Sequence, residues 1–99
     1  MANQFGDKIR QLREANNLLQ RQVASKLEID TPMLSKIERG DRKAKKEQVL
    51  IFAKLFNTEK RLLLTLWLAD QVYDLVKNEE NAADALKVAE NQFKYDTKR

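Results

Sequence analysis

The chain has 99 residues and a net charge of +4, a length that predicts a single domain with a modest core. It contains no cysteine and no histidine, which excludes disulfides, metal sites built on thiolate or imidazole ligands, and acid–base catalysis by imidazole. With only two glycines and one proline, it lacks the turn residues of a β-rich fold, and its many helix-forming residues predict an all-α protein.

The first predicted helix covers about residues 4–16. Phe5, Ile9 and Leu12 lie at i, i+4 and i+7, so they form one apolar face with polar residues between them. Asn16 and Asn17 end it, because asparagine tolerates the left-handed conformation that often closes a helix.

Two short helices come next. The second is predicted over Gln20–Leu27. Either Asp30 or Thr31 can cap the third by accepting a hydrogen bond from its first free N–H groups. Pro32 suits a first turn, and Gly40 ends the helix.

The last three predicted helices cover about residues 46–56, residues 59–77 and a segment that Asn78 can cap. The start of the fifth helix, residues 62–68, is apolar nearly all round, so it must be covered on more than one side. The sixth helix carries an apolar stripe formed by Ala82, Leu86, Ala89 and Phe93.

Neither a membrane span nor a signal peptide is predicted. The longest apolar run, residues 62–69, is interrupted by Thr65 and is far shorter than the roughly 20 residues of a span. The N-terminal segment is polar and lacks an apolar signal-peptide core. We therefore expect a soluble protein, and the absence of disulfides favours the cytoplasm.

Basic charge is concentrated in the first half of the chain. Residues 1–57 carry twelve Lys/Arg and seven Asp/Glu, whereas residues 58–99 carry seven and eight. The densest basic stretch covers residues 36–46. This asymmetry favours a polyanionic partner for the N-terminal half, although a solvated surface would also account for it.

Residues 18–40 carry the most specific signal. They predict two short helices joined by about three residues, which can hold the second helix at a fixed angle across the first. A helix presented in this way fits a DNA major groove about 12 Å wide. Leu34 and Ile37 supply a buried face for the second helix of the pair. Its exposed face carries hydrogen-bonding and basic side chains, namely Thr31, Ser35, Lys36 and Arg39.

This stretch resembles the helix-turn-helix of the lambda-repressor/Cro-type family, often labelled XRE. The family pattern opens with Gln, continues with an apolar-Ala pair and closes with Ile-Glu-Arg-Gly. Gln20, Val23-Ala24 and residues 37–40 match it in register. The resemblance covers about residues 5–57 and implies a five-helix DNA-binding domain, here with an extended fifth helix and an additional C-terminal helix.

Three positions depart from the family pattern. Glu28 occupies the turn position where the family usually has Gly, and a left-handed Glu costs roughly 1 kcal/mol more than Gly. Leu19 replaces the usual Ser or Thr cap of the first helix of the pair, and Pro32 replaces a polar residue that often reaches DNA. We therefore expect base reading to shift toward Thr31, Ser35 and Lys36.

The resemblance implies two sets of DNA contacts. Contacts to base edges are expected from Thr31, Met33, Ser35 and Lys36. Contacts to phosphates are expected from Gln20, Arg39, Arg42, Lys43, Lys45 and Lys46. Glu38 has an expected structural role, pairing with a basic group or a backbone donor. The alternatives are that Met33 belongs to the core and that Ser35, Lys36 and Lys45 lie on an ordinary solvated surface.

The C-terminal half predicts self-association. We expect residues 1–57 to form the DNA-binding core and residues 58–99 a helical dimerisation extension packed on the same domain. The predicted interface of a homodimer comprises Leu66, Trp67, Val72, Tyr73 and Val76. A two-fold dimer would place two recognition helices about 34 Å apart on a pseudo-palindromic site. The alternative is that the sixth helix folds back and buries this surface internally.

These features together predict a sequence-specific regulator that binds double-stranded DNA, with no catalytic residues, cofactor, small-molecule ligand or membrane partner. The layout resembles restriction–modification controller proteins and small repressors, which implies control of its own operon. An antitoxin of a toxin–antitoxin pair, or an interaction module that keeps the fold without binding DNA, remain the alternatives.

Overall fold

The computed structural model describes residues 3–97, and within that range it contains six helices and no strand. The helices are α1 (Gln4–Ala15), α2 (Gln20–Leu27), α3 (Thr31–Arg39), α4 (Lys46–Leu55), α5 (Lys60–Val76) and α6 (Ala82–Thr97). The predicted all-α class and the order of the helices are confirmed. The first five helices begin and end within one residue of the predicted bounds.

The sixth helix begins later than Asn78, the predicted cap. The backbone N–H of Glu79 donates to the carbonyl of Val76 at 2.9 Å, which continues the end of α5 into a turn. The first bond into α6 runs from the N–H of Ala85 to the carbonyl of Asn81 at 2.8 Å. The predicted cap at Asn78 is therefore wrong, because the segment after α5 is used for turns before α6 starts.

A single core is built around Phe52 of α4. Its ring meets Phe5 of α1 edge-on, with centroids 5.9 Å apart, and is stacked with Phe56 at 6.1 Å. Leu63 of α5 is fully buried beside these residues, and burying each such side chain stabilises the fold by roughly 1.5–3 kcal/mol. The start of α5 therefore contributes to the same core as α1 to α4, while the proposed boundary at residue 57 stays a prediction.

The turn between α2 and α3 has a residue other than glycine in the left-handed conformation. Glu28 has φ 57° and ψ 40°, in the left-handed region. Its N–H and that of Ile29 donate to the carbonyls of Ser25 and Ala24, both at 3.1 Å. The fold thus accepts the roughly 1 kcal/mol cost of a left-handed Glu, because these two bonds end α2 and set the angle to α3.

Caps define the ends of this helix pair. Asp30, rather than Thr31, is the N-cap of α3, since its Oδ1 accepts the N–H of Met33 at 2.8 Å. At the start of α2, Leu19 has no capping oxygen, and the side chain of Gln22 accepts the Leu19 N–H at 2.7 Å instead. Gln22 therefore supplies the return bond of a capping box, and the N–H of Gln22 bonds to the carbonyl of Leu19 in place of a Ser or Thr side chain.

Helix α6 does not pack into the core. None of residues 82–96 is buried, and Ala82 is the one among them that is partly covered. The apolar side chains of Leu68, Val72 and Leu75 on α5 are also exposed, Leu75 to 80%. In the single chain, α6 therefore does not fold back to cover this side of α5.

Candidate nucleic-acid interface

Helix α3 has one buried and one accessible face. Leu34 and Ile37 are 0% and 2% exposed and fix the helix to the core. Thr31 and Lys36 are exposed and Ser35 is half-buried, so these three predicted base-contacting residues are accessible. Met33 is half-buried and packs against the core, which fits the core alternative at least as well as a base contact.

The end of α3 is held by a buried ion pair. The guanidinium of Arg13 in α1 donates through Nε to Glu38 Oε2 at 2.7 Å and through Nη2 to Oε1 at 3.1 Å. The Glu38 side chain is only 3% exposed and that of Arg13 13%. Hydrogen bonding to Glu38 raises the pKa of Arg13 above its already high ordinary value, although burial opposes this. The predicted structural role of Glu38 is confirmed.

The same carboxylate orients Gln20, the first residue of α2. Gln20 Nε2 donates to Glu38 Oε1 at 3.1 Å. An amide NH₂ group carries two hydrogens, so this contact leaves one for another acceptor. The first N–H groups of α2 also lack intrahelical partners, and a helix N-terminus attracts anions. The predicted phosphate contact of Gln20 is thus sterically and chemically available and stays a prediction.

Backbone hydrogen bonds from the following loop close the C-terminal end of α3. Gly40 has φ 81°, a conformation that favours glycine. The N–H groups of Asp41 and Arg42 both reach the carbonyl of Lys36, at 2.9 and 3.3 Å. The basic loop, residues 41–45, therefore begins at the C-terminal end of the predicted recognition helix.

Four basic side chains follow along this loop and at the start of α4. Arg42, Lys43, Lys45 and Lys46 are all exposed. Ala44, in their midst, is only 1% exposed, so the loop presents basic side chains on either side of one anchored residue. At the loop's end, Gln48 Oε1 accepts the N–H of Lys45 at 2.8 Å and caps α4.

Arg39 connects the helix to the loop. Its Nη1 donates to Ser35 Oγ at 2.6 Å, and its Nε donates to Asp41 Oδ2 at 3.1 Å. Both side chains of the Arg39–Asp41 pair are more than half exposed, and such surface pairs contribute about 0–1 kcal/mol. A phosphate could compete with Asp41 for Arg39 at low cost, so the predicted phosphate role is compatible with this geometry.

The predicted dimer residues fall into two groups. Leu66 and Trp67 are partly buried and pack against the chain's own core, and the indole Nε1 of Trp67 donates to the carbonyl of Ala44 at 2.8 Å. Val72 and Tyr73 are 44% and 45% exposed and Val76 is half-buried. The accessible part of the predicted interface therefore lies toward the C-terminal end of α5.

One structural tie has no local sequence signal. Asp70 of α5 accepts the N–H of Gln4 at 3.0 Å on Oδ1 and that of Phe5 at 2.9 Å on Oδ2. It therefore caps α1 from 65 or more residues away in sequence.

Across residues 3–97, no helix is sufficiently long and apolar to cross a bilayer. Over the same range, no group of acidic side chains is placed to hold a metal ion.

The comparison with protein families agrees with the geometry. A helix-turn-helix family model matches residues 9–63, more than half of the chain and all of α2, α3 and α4. Neither a search of curated proteins nor a search of solved structures returned a significant match. The motif residues 20–40, the helix bounds and this match together establish that the chain belongs to the lambda-repressor/Cro-type (XRE) helix-turn-helix family of DNA-binding regulators.

Proposed function

We propose that the protein is a sequence-specific transcriptional regulator that reads double-stranded DNA with α3. The observation that carries this proposal is the juxtaposition of two surfaces. Helix α3 leaves Thr31, Ser35 and Lys36 accessible, and the exposed basic loop continues directly from the C-terminal end of this helix, where the N–H groups of Asp41 and Arg42 bond to the Lys36 carbonyl. One surface can therefore enter the major groove while the other meets the flanking phosphates.

The two surfaces have different expected roles. Lys36 can donate to guanine O6 and N7, and Thr31 and Ser35 can bond to several base edges. Arg42, Lys43, Lys45 and Lys46 neutralise phosphates, which contributes affinity that depends on salt and not on sequence. Gln20 and Arg39 add phosphate contacts at the two ends of the motif.

We further propose a homodimer that forms through α5 and α6. Leu68, Val72 and Leu75 of α5 and Leu86 of α6 are exposed apolar side chains in a single chain. Helix α6 has 16 residues, and none of its residues 82–96 is buried. A helix without tertiary packing is marginal in water, so α6 is expected to pack on a partner. A two-fold pair would bind a pseudo-palindromic operator.

Regulation of its own operon, as in restriction–modification controllers or small repressors, completes the proposal. The proposed regulator has neither an enzymatic activity nor a cofactor. Transcription would then be controlled by the concentration of the protein and by its cooperative occupancy of the operator. The cytoplasm is the proposed compartment, because a DNA-binding regulator meets its operator there.

The first experiment is selection of binding sites from random duplex DNA, followed by footprinting and titration of the selected site at several salt concentrations. We expect a two-fold symmetric footprint and binding that resists scrambled competitor DNA. The double variant Arg42→Ala/Lys43→Ala should bind all duplexes more weakly and reduce the salt slope by up to about 2 units.

The matched control for this double variant is Lys87→Ala/Lys94→Ala on α6, which removes the same charge far along the chain from the motif. Its salt slope should stay close to that of the wild type. No enrichment of any sequence would overturn the proposed function, and an unaltered slope in Arg42→Ala/Lys43→Ala would remove those residues from the phosphate set.

A second candidate is an antitoxin, favoured by the same exposed apolar side chains of α5 and α6, which could cover a different protein. Sedimentation of the purified chain at micromolar concentration separates the two. A dimer supports the symmetric regulator, whereas a monomer that dimerises neither alone nor on DNA favours a different partner for α5 and α6.

A further inference from the structure

One face of α5 is tied to the DNA-binding half of the chain at two points. Trp67 Nε1 donates to the carbonyl of Ala44, at 2.8 Å, and Asp70 accepts the N–H groups that open α1. Residues three apart lie on the same face of a helix. Leu68 and Val72, by contrast, are on the exposed side. Helix α5 therefore separates an inward face, which is bonded to the start of α1 and to the loop after α3, from an outward apolar face.

The contact of Trp67 falls at the middle of the basic loop. The loop is bonded at its start through the N–H groups of Asp41 and Arg42, and at its end through the N–H of Lys45. Among residues 3–97, the indole supplies the one hydrogen bond to the backbone of residues 43 and 44. Ala44 is buried at this point.

The consequence of this contact is the direction of the neighbouring side chains. With Ala44 drawn inward, Lys43 and Lys45 on either side are exposed. A loop that already has its bound conformation loses less conformational entropy when it meets a phosphate. A freely moving loop with the same charges would bind DNA more weakly.

We propose that Trp67 is a positioning residue for phosphate binding, and that it acts by holding the loop of residues 41–45 through the carbonyl of Ala44. The expected change in DNA affinity rests on the proposed function. The expected change in the order of the loop rests only on the contact between Trp67 and Ala44. It also assigns Trp67 to the inside of each subunit and leaves the outward side chains of α5 to the dimer.

The test is Trp67→Phe, which keeps a large apolar ring and removes the N–H donor. NMR order parameters of the backbone at residues 42–45, measured without DNA, should fall from the rigid value of about 0.85 toward 0.6. Affinity for the selected duplex should fall about threefold to tenfold, the equivalent of one net hydrogen bond. The dimerisation constant should change less than twofold.

The control is Phe56→Leu, which weakens the stacked contact with Phe52 at the opposite end of α4. It should lower the free energy of unfolding and leave the loop order and the DNA affinity unchanged. Trp67 is the one tryptophan of the chain, so its indole N–H resonance can also be followed in the wild type. That proton should exchange slowly with solvent.

The two possible failures are distinguishable. If the wild type binds no duplex while Trp67→Phe loosens the loop, the proposed function falls and the contact of Trp67 with the loop stands. If the loop stays ordered in Trp67→Phe, or if the wild-type indole N–H exchanges as fast as in a free peptide, the inference is overturned whatever the DNA result.

Discussion

Helices α3 and α6 are opposites in length and in tertiary support. Helix α3 has only nine residues, yet it buries Leu34, Ile37 and Glu38 and is capped by Asp30. Helix α6 has sixteen residues and buries none among those described up to residue 96. A short isolated helix is marginal in water, and most helical stability in proteins comes from tertiary packing. The comparison shows that α3 is held by contacts within one chain, whereas α6 gains no buried side chain from the rest of the chain over the residues described up to 96.

The largest loss of stability is expected when the buried ion pair that holds the end of α3 is broken. Glu38→Gln removes the charge that compensates Arg13, which is 13% exposed and has no other acid within salt-bridge distance among the described residues. Loss of one partner of a buried pair costs about 3–5 kcal/mol, so the free energy of unfolding in urea should fall by about 3 kcal/mol.

The matched control for that change is Asp41→Asn, which breaks the exposed pair with Arg39. Because both of its side chains are solvated, this change should cost less than about 1 kcal/mol. Equal losses in the two variants would show that burial does not distinguish the two ion pairs and that α3 is held in another way.

The smallest expected effect concerns α6. Leu86→Glu replaces an exposed apolar side chain, so at concentrations where the protein is monomeric the unfolding free energy should change by no more than about 0.5 kcal/mol. The same variant should weaken self-association, measured by sedimentation. A loss of several kcal/mol in the monomer would mean that α6 packs on its own core.

Much of the fold could be predicted from the sequence because its signals are local. The spacing of Phe5 and Ile9, the bounds Gln20–Leu27 and the stop at Gly40 all depend on residues within one or two turns of each other. The prediction of Asn78 as the cap of α6 was wrong for the same reason. A local capping preference does not distinguish the start of a helix from a turn that continues α5.

The ties between distant segments could not be predicted in this way. Asp70 reaches the start of α1, and Trp67 reaches Ala44 across 23 residues. The sequence predicts a dimer interface for Trp67 and carries no signal for the role of Asp70. Their partners are backbone groups, which every residue type carries. The sequence therefore does not indicate these pairs, and they become visible only once the helices are packed.

The central claim, that α3 reads the bases, is tested most directly by Lys36→Ala. Its binding to the selected duplex and to scrambled DNA should be compared with that of the wild type at one salt concentration. Loss of a base contact predicts that discrimination falls by about 1–3 kcal/mol, with preference relaxed at a single base-pair position. If Lys36→Ala lowers affinity for both duplexes equally and leaves discrimination unchanged, Lys36 contacts only phosphate and the account of base reading by this residue is contradicted.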